Sequence, residues 1–159
     1  MNKMVPHVLV LPEDDANRQL ANGFQLDPSL DPRRMQILEE AGGWLEVVDR
    51  FKVVHVPEME RNTNRFMVLL LDFDRRENRF KEVMAEIPAH LNERVFVLGA
   101  WSEPEELRRA LGSYEAIGAA LAKDCRDNTH DTWAHDLLKH NVGELERLRQ
   151  QVRPILFPE

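Results

Sequence analysis

A chain of 159 residues with 43% apolar and 31% charged side chains has the size and balance of one globular domain, which excludes a disordered or fibrous protein. Its longest uninterrupted apolar run, Phe66 to Leu71, is too short to span a bilayer. A net charge of −7 argues against binding nucleic acid through a generally basic surface.

Met1 to His7 does not read as a signal peptide. The lone Cys125 cannot close an intramolecular disulfide, so the expected setting is a reducing cytoplasm. The arginines gather in small groups (Arg75, Arg76 and Arg79; Arg108 and Arg109; Arg147, Arg149 and Arg153) and are expected on solvated helix faces balanced by glutamates.

In chain order, His7 to Leu11 is a short apolar run ended by Pro12 and reads as a buried strand. Ala16 to Ala21 is compatible with a helix, with Gly23 as its stop. Asp-Pro pairs between Gln25 and Pro32 make a turn-rich connection. Met35 to Leu38 fits strand or helix equally, Gly42-Gly43 breaks the chain, and Trp44 to Val48 reads as a short helix; Lys52 to Asn64 has no clear period. Phe66 to Leu71 is the clearest strand, apolar on both faces as in the middle of a parallel sheet. Phe80, Val83, Met84 and Ile87 mark an amphipathic helix stopped by Pro88. Arg94 to Gly99 is the next strand, and Ser102 and Glu105 have the spacing of a capping box. Helices are then expected over 114–123 and 132–152, the second with Leu138, Leu145 and Val152 seven apart. Strands alternating with helices predict an α/β domain: an open, mainly parallel sheet flanked by helices, over residues 7–112, with a C-terminal helical extension over 113–159. The strands at 7–11, 66–71 and 94–99 are expected to lie parallel.

Two strands end in acids: Leu11 leads to Glu13, Asp14 and Asp15, and Leu71 leads to Asp72 and Asp74. Ligands of open parallel sheets gather outside the carboxyl ends of the strands. If extended geometry persists, Asp72 and Asp74 point to the same side, and Glu13 joins them from a neighbouring strand. Three such carboxylates raise one another's pKa unless a cation sits among them, and an oxygen-only set suits Mg²⁺ or Mn²⁺ rather than zinc. Acids after a strand also cap helices: Asp14 or Asp15 could cap the first helix, and Asp74 could start the turn before Asn78.

The strand ending in Glu13 and the strand ending in Asp72-Phe73-Asp74 resemble the TOPRIM fold of topoisomerases, primases and the nucleases related to overcoming-lysogenization-defect proteins. Ala41-Gly42-Gly43-Trp44 before a short helix is similar to small bacterial TOPRIM-related proteins. The resemblance covers roughly residues 7 to 112. It implies a Mg²⁺- or Mn²⁺-dependent nuclease or nuclease-like subunit, with Glu13 as general acid/base or metal ligand and Asp72 and Asp74 as metal ligands. Nuclease members carry a further acid after the last strand, for which Glu103 and Glu105 are candidates; Glu105 is also the expected capping partner of Ser102. The family's glycine after the first Glu is replaced by Asp14, and Pro12 precedes it, a departure that bears on catalysis more than on fold. The acidic composition implies that a partner supplies affinity for nucleic acid, and the related nucleases imply an ATPase as that partner.

Val8 to Asp15 with Asn17-Arg18 also resembles the opening of a response-regulator receiver domain. That likeness makes Asp72 a phosphoryl acceptor beside a Mg²⁺ held by the acidic pair. Gly99 stands near the end of the strand where that family needs a hydroxyl, and no lysine ends a fifth strand. A third possibility is a catalytically silent binding module of TOPRIM-like fold. His130, His135 and His140 are spaced by five, a step of about 140° on a helix, so they do not form a zinc face. Gly42-Gly43 lacks the Lys and Ser/Thr of a phosphate loop, Cys125 reads as an ordinary thiol, and Trp101, Tyr114 and Trp133 read as core or interface anchors.

Overall fold

A computed structural model describes residues 1–158; Glu159, the last residue of the expected extension, lies outside the described residues. Four parallel strands form one sheet in the order β2-β1-β3-β4: β1 His7–Pro12, β2 Met35–Ile37, β3 Arg65–Leu70 and β4 Val95–Leu98. The three apolar runs are strands because each carries branched or aromatic side chains on both faces. The ambiguous Met35–Ile37 segment is the short edge strand, in register with Val8 to Val10. Every connection between paired strands is a crossover, and helices cover both faces.

The helices are α1 Asp15–Gln25, α2 Trp44–Arg50, α3 Val56–Arg61, α4 Glu77–Ala85, α5 Pro104–Leu111, α6 Tyr114–Asp127, α7 Val142–Gln151 and α8 Arg153–Leu156. Alternate strand residues serve two cores. Val8, Val10, Val68, Phe96 and Leu98 meet α1, α6, α7 and α8, whereas Leu9, Leu11, Met67, Leu69, Val95 and Val97 meet α2, α3 and α4. The C-terminal helices therefore share a core with the sheet. Among the described residues, no helix is long and apolar enough to cross a membrane.

Several local expectations are corrected. Gly23 does not stop α1, which runs on to Gln25. It permits a close helix crossing instead: a Cβ there would stand 2.1 Å from the Glu115 carbonyl oxygen, and one at Gly118 would stand 2.0 Å from that of Leu20. The period-free stretch 52–64 is mostly helical, because Pro57 has no N–H to continue the ladder and the chain widens into a π turn, Phe51–His55, before α3. The expected helix over 132–152 is broken. The Asp124 carboxylate accepts from Thr129 Oγ1 and from the Thr132 and Trp133 N–H groups, holding residues 129–133 in turns, and α7 begins only at Val142.

The helix α7 shields the exposed edge of β4 with side chains. Glu144 Oε2 accepts from Val97 N at 2.8 Å, while Asn141, just before α7, accepts from Gly99 N at 3.1 Å and donates to Gly99 O at 3.0 Å. Arg147, Arg149 and Arg153 are not merely solvated. They bind backbone carbonyls, Arg147 those of Asn92 and Val95, Arg149 those of Asp124 and Thr129, and Arg153 those of Cys125 and Arg126.

Candidate metal centre

In this strand order, chain direction across the sheet reverses between β1 and β3, and a crevice opens there outside the carboxyl ends of the strands. Glu13 and Asp72 stand at that point. The β1–β3 ladder continues one step past β1 through Glu13 N, which donates to Leu70 O at 2.8 Å. The β3–β4 pairing likewise continues through Leu71 N to Leu98 O and Phe73 N to Ala100 O, both 3.0 Å. Leu71 and Phe73 fill the α4-side core, so alternation sends Asp72 to the opposite face, toward α1.

There Asp72 meets α1 itself. Asp14 is the N-cap of that helix, its Oδ1 accepting from Asn17 N at 2.9 Å. Asn17 Nδ2 donates to Asp14 Oδ1 at 2.9 Å and to Asp72 Oδ1 at 3.2 Å, tying helix start to strand end. Glu13 Oε2 accepts weakly from Asp72 N at 3.4 Å. One carboxylate oxygen from each of Glu13, Asp14 and Asp72 lies within 4.8 Å of the others. Asp14 therefore both caps a helix and belongs to the cluster.

Asp74 does not belong to it. Extended geometry ends at Phe73, and Asp74 and Arg75 both take left-handed backbone conformations (φ 48° and 57°). Such conformations cost non-glycine residues about 1–3 kcal/mol each, and this pair is held by Arg75 N donating to Trp101 O and Arg76 N to Phe73 O. The turn sends the Asp74 carboxylate to Arg79 Nη1 at 2.7 Å. Arg79 is buried rather than solvated, donates also to Asp72 O at 3.0 Å, and stacks 4.5 Å above the Trp44 ring. Glu103 and Glu105 stay with α5, outside the cluster. The expected capping box is not formed: Glu103 occupies the cap position without a side-chain bond, and Ser102 Oγ donates to Glu106, not Glu105. Pro104 at the first position has no N–H to be capped.

Glu13 and Asp72 are only 8% and 5% exposed. Arg18 pairs with Asp15 and Glu40, and Arg79 with Asp74, so neither neutralises the cluster. Burial first, then contact with Glu13 and the charge of Asp14, push the Asp72 carboxyl up to about 9 from its ordinary 3.8. Burial, with the charges of Asp14 and Asp74, also raises Glu13, against the opposing contact with Asp72. All three side chains offer oxygen, and Glu13 and Asp72 are buried while Asp14 is half-buried. A further sign of fit is Asn17 Oδ1, which is buried beside the acids without a hydrogen-bond partner. The cluster could hold a metal ion. Cys125 is a poor nucleophile by contrast, its thiol pushed up to about 11 by burial.

These shifts fix a sign. Without cation the folded state retains a proton on Asp72 that the unfolded chain gives up near pH 4, so stability should fall steadily between pH 4 and about 9. Urea melts in a chelating buffer at pH 5 and pH 8 measure this, and a flat or rising profile contradicts the burial of Asp72.

Asn17, which enters the sequence reading only through the receiver-like opening, is not among the expected site residues, although Asp14-x-x-Asn17 has the spacing of a helix cap and its third helical residue. No protein-family model, curated protein or solved structure matches this chain.

Proposed function

We propose that Glu13, Asp14 and Asp72 hold Mg²⁺ or Mn²⁺, and that the protein is a TOPRIM-like, cation-dependent nuclease or nuclease-like subunit acting on phosphodiesters. The observation that carries this reading is the convergence of three carboxyl groups without an arginine or lysine partner, two of them buried, at the switch point of a parallel sheet. When bound, such a cation supplies charge neutralisation to a phosphoryl group. Glu13, at the strand end and without an arginine partner, is the side chain proposed to accept a proton from an attacking water. Water's oxygen would form the new P–O bond, the leaving oxygen would depart with the bonding pair, and the proton would pass to Glu13. Arg79 acts differently, fixing the Asp72–Asp74 turn. Because the chain carries a net charge of −7, a partner, such as an ATPase, is proposed to supply affinity for nucleic acid.

The test is cleavage of end-labelled DNA and RNA, single- and double-stranded, with millimolar Mg²⁺ or Mn²⁺. Cation-dependent cleavage is expected to fall about 100-fold or more in Asp72→Asn and to change little in Asp74→Asn. Equal activity in wild type and Asp72→Asn refutes the assignment.

The strand order also favours a second reading, because β2-β1-β3-β4 with acids at the ends of β1 and β3 is the arrangement of a receiver-like phosphoacceptor. Gly99 offers no hydroxyl there, and Asn141 occupies both of its backbone groups. Acetyl phosphate or beryllofluoride is accordingly expected to leave the protein unmodified; a stable adduct on Asp72 would reverse the order of the two readings. No response to cation at all would leave a silent binding module.

A further inference from the structure

We propose that Asn17 is a fourth oxygen ligand of the cation site, its carboxamide bridging Asp14 and Asp72 while the cation is absent and turning to present Oδ1 between them when it binds. This inference rests on the cation-site reading above and adds a residue to it.

Asn17 is fully buried, an uncommon place for a carboxamide, which carries two donors and an acceptor to satisfy. Only the donor end is satisfied: Nδ2 bonds one acid from the α1 cap and one from the end of β3, while Oδ1 has no partner. A residue placed solely to cap a helix needs neither the bond to Asp72 nor an orphaned oxygen. The spacing is also that of a coordination shell. Mg²⁺ holds its oxygens at 2.0–2.1 Å in an octahedron, which puts neighbouring oxygens about 3 Å apart. The terminal nitrogen of Asn17 stands 2.9 Å and 3.2 Å from the two carboxylate oxygens.

An N–H aimed between the two acids and a cation placed at that same point compete for the two Oδ1 atoms. The two ends of a carboxamide are nearly the same size, so a half-turn about the last side-chain bond exchanges them without repacking. Oδ1 has no hydrogen bond to lose in that turn, and the two that Nδ2 gives up are exchanged for the cation's bonds to the acids. The backbone of Asn17 meanwhile stays fixed by its own N–H bond to Asp14. In the cation-free protein the amide bridges the two acids; in the loaded protein it adds a neutral oxygen, keeping the set all-oxygen and suited to Mg²⁺ or Mn²⁺ over zinc.

The experiment is calorimetric titration of the intact protein with Mn²⁺ for wild type, Asn17→Leu and Asn17→Asp, with circular dichroism of each. Alongside it, the side-chain carbonyl carbon of Asn17 is followed by NMR as wild type is titrated with diamagnetic Mg²⁺. Asn17→Leu, apolar and close in volume, should weaken Mn²⁺ binding by at least about ten-fold. Asn17→Asp keeps the oxygen but loses the donor, so it should bind Mn²⁺ at least as tightly as wild type while melting lower without cation. The carbonyl resonance should shift as Mg²⁺ saturates. A purely structural Asn17 gives the opposite pattern: a folded Asn17→Leu with wild-type affinity, or a carbonyl resonance unmoved by saturating Mg²⁺, overturns the proposal. If Asn17→Leu does not fold, Asn17→Asp and the NMR titration decide, and loss of Mn²⁺ binding in Asn17→Asp counts against the ligand role. A wild type that binds neither cation overturns the cation-site reading itself, an outcome separate from wild-type binding that ignores Asn17.

Discussion

Gly99→Ala is expected to cost the folded protein about 3 kcal/mol or more, the upper range for forcing atoms into a filled site. A Cβ at that position would stand 1.6 Å from the Leu71 carbonyl oxygen and 2.7 Å from its carbon. Those are backbone atoms, and they are pinned: Leu71 N bonds Leu98 O, and both polar groups of Gly99 are taken by Asn141. Relief requires parting β3 from β4 one residue before Asp72, so any cation response should weaken as well. Gly143→Ala is the control. It lies exposed within α7 with nothing within 4 Å of a Cβ, and should stabilise by about 0.5–1 kcal/mol through helix propensity. Urea melts of both variants measure the difference. A Gly99→Ala protein as stable as wild type would mean that the β3–β4 junction is not closed as described.

Asp72→Asn should produce two opposite changes. Without cation and near pH 8, it replaces a carboxyl held protonated by burial and by Glu13 with a neutral group of the same shape, so the protein should melt higher. Each displaced pKa unit is worth about 1.4 kcal/mol, so a gain of about 1 kcal/mol or more is readable; near pH 4 the gain should vanish. With Mn²⁺, the wild type should gain about 2.7 kcal/mol at a hundred times its Kd, and the variant should lose most of that. Asp74→Asn should keep the Mn²⁺ response, because the Asp74 carboxylate serves Arg79. If Asp72 were only a strand end and Asp14 only a cap, no variant would respond to cation, while the gain of Asp72→Asn near pH 8, which follows from burial, would remain.

The sheet was legible because three of its strands are continuous apolar runs, a pattern that only burial on both faces explains. The edge strand Met35–Ile37 was not, since three residues carry no period. Gly23 misled because a glycine that ends a helix and one that lets two helices touch look the same in sequence; Glu115, which distinguishes them, is distant in the chain. The heptad of Leu138, Leu145 and Val152 is real in that all three are buried in one core. The chain nevertheless reaches Leu138 through turns, because Asp124 and Asn141 take backbone groups that a continuous helix would need. At the site, Glu13 and Asp72 were visible as strand ends. Asp74 stands apart from the cluster because two-residue alternation ends at Phe73, giving way to left-handed backbone that no glycine marks. Asp14 was read chiefly as a cap, and the cap geometry is what brings it, with Asn17, to Asp72.

A divalent cation is proposed to sit among Glu13, Asp14 and Asp72. Anomalous diffraction from crystals grown with millimolar Mn²⁺ tests it most directly. The account predicts one manganese peak bounded by oxygens of those three residues, with the Asp74 carboxylate still on Arg79. Full-occupancy manganese at Asp74, or no peak at the end of β1 and β3 in a crystal where that crevice is open to solvent, would contradict it.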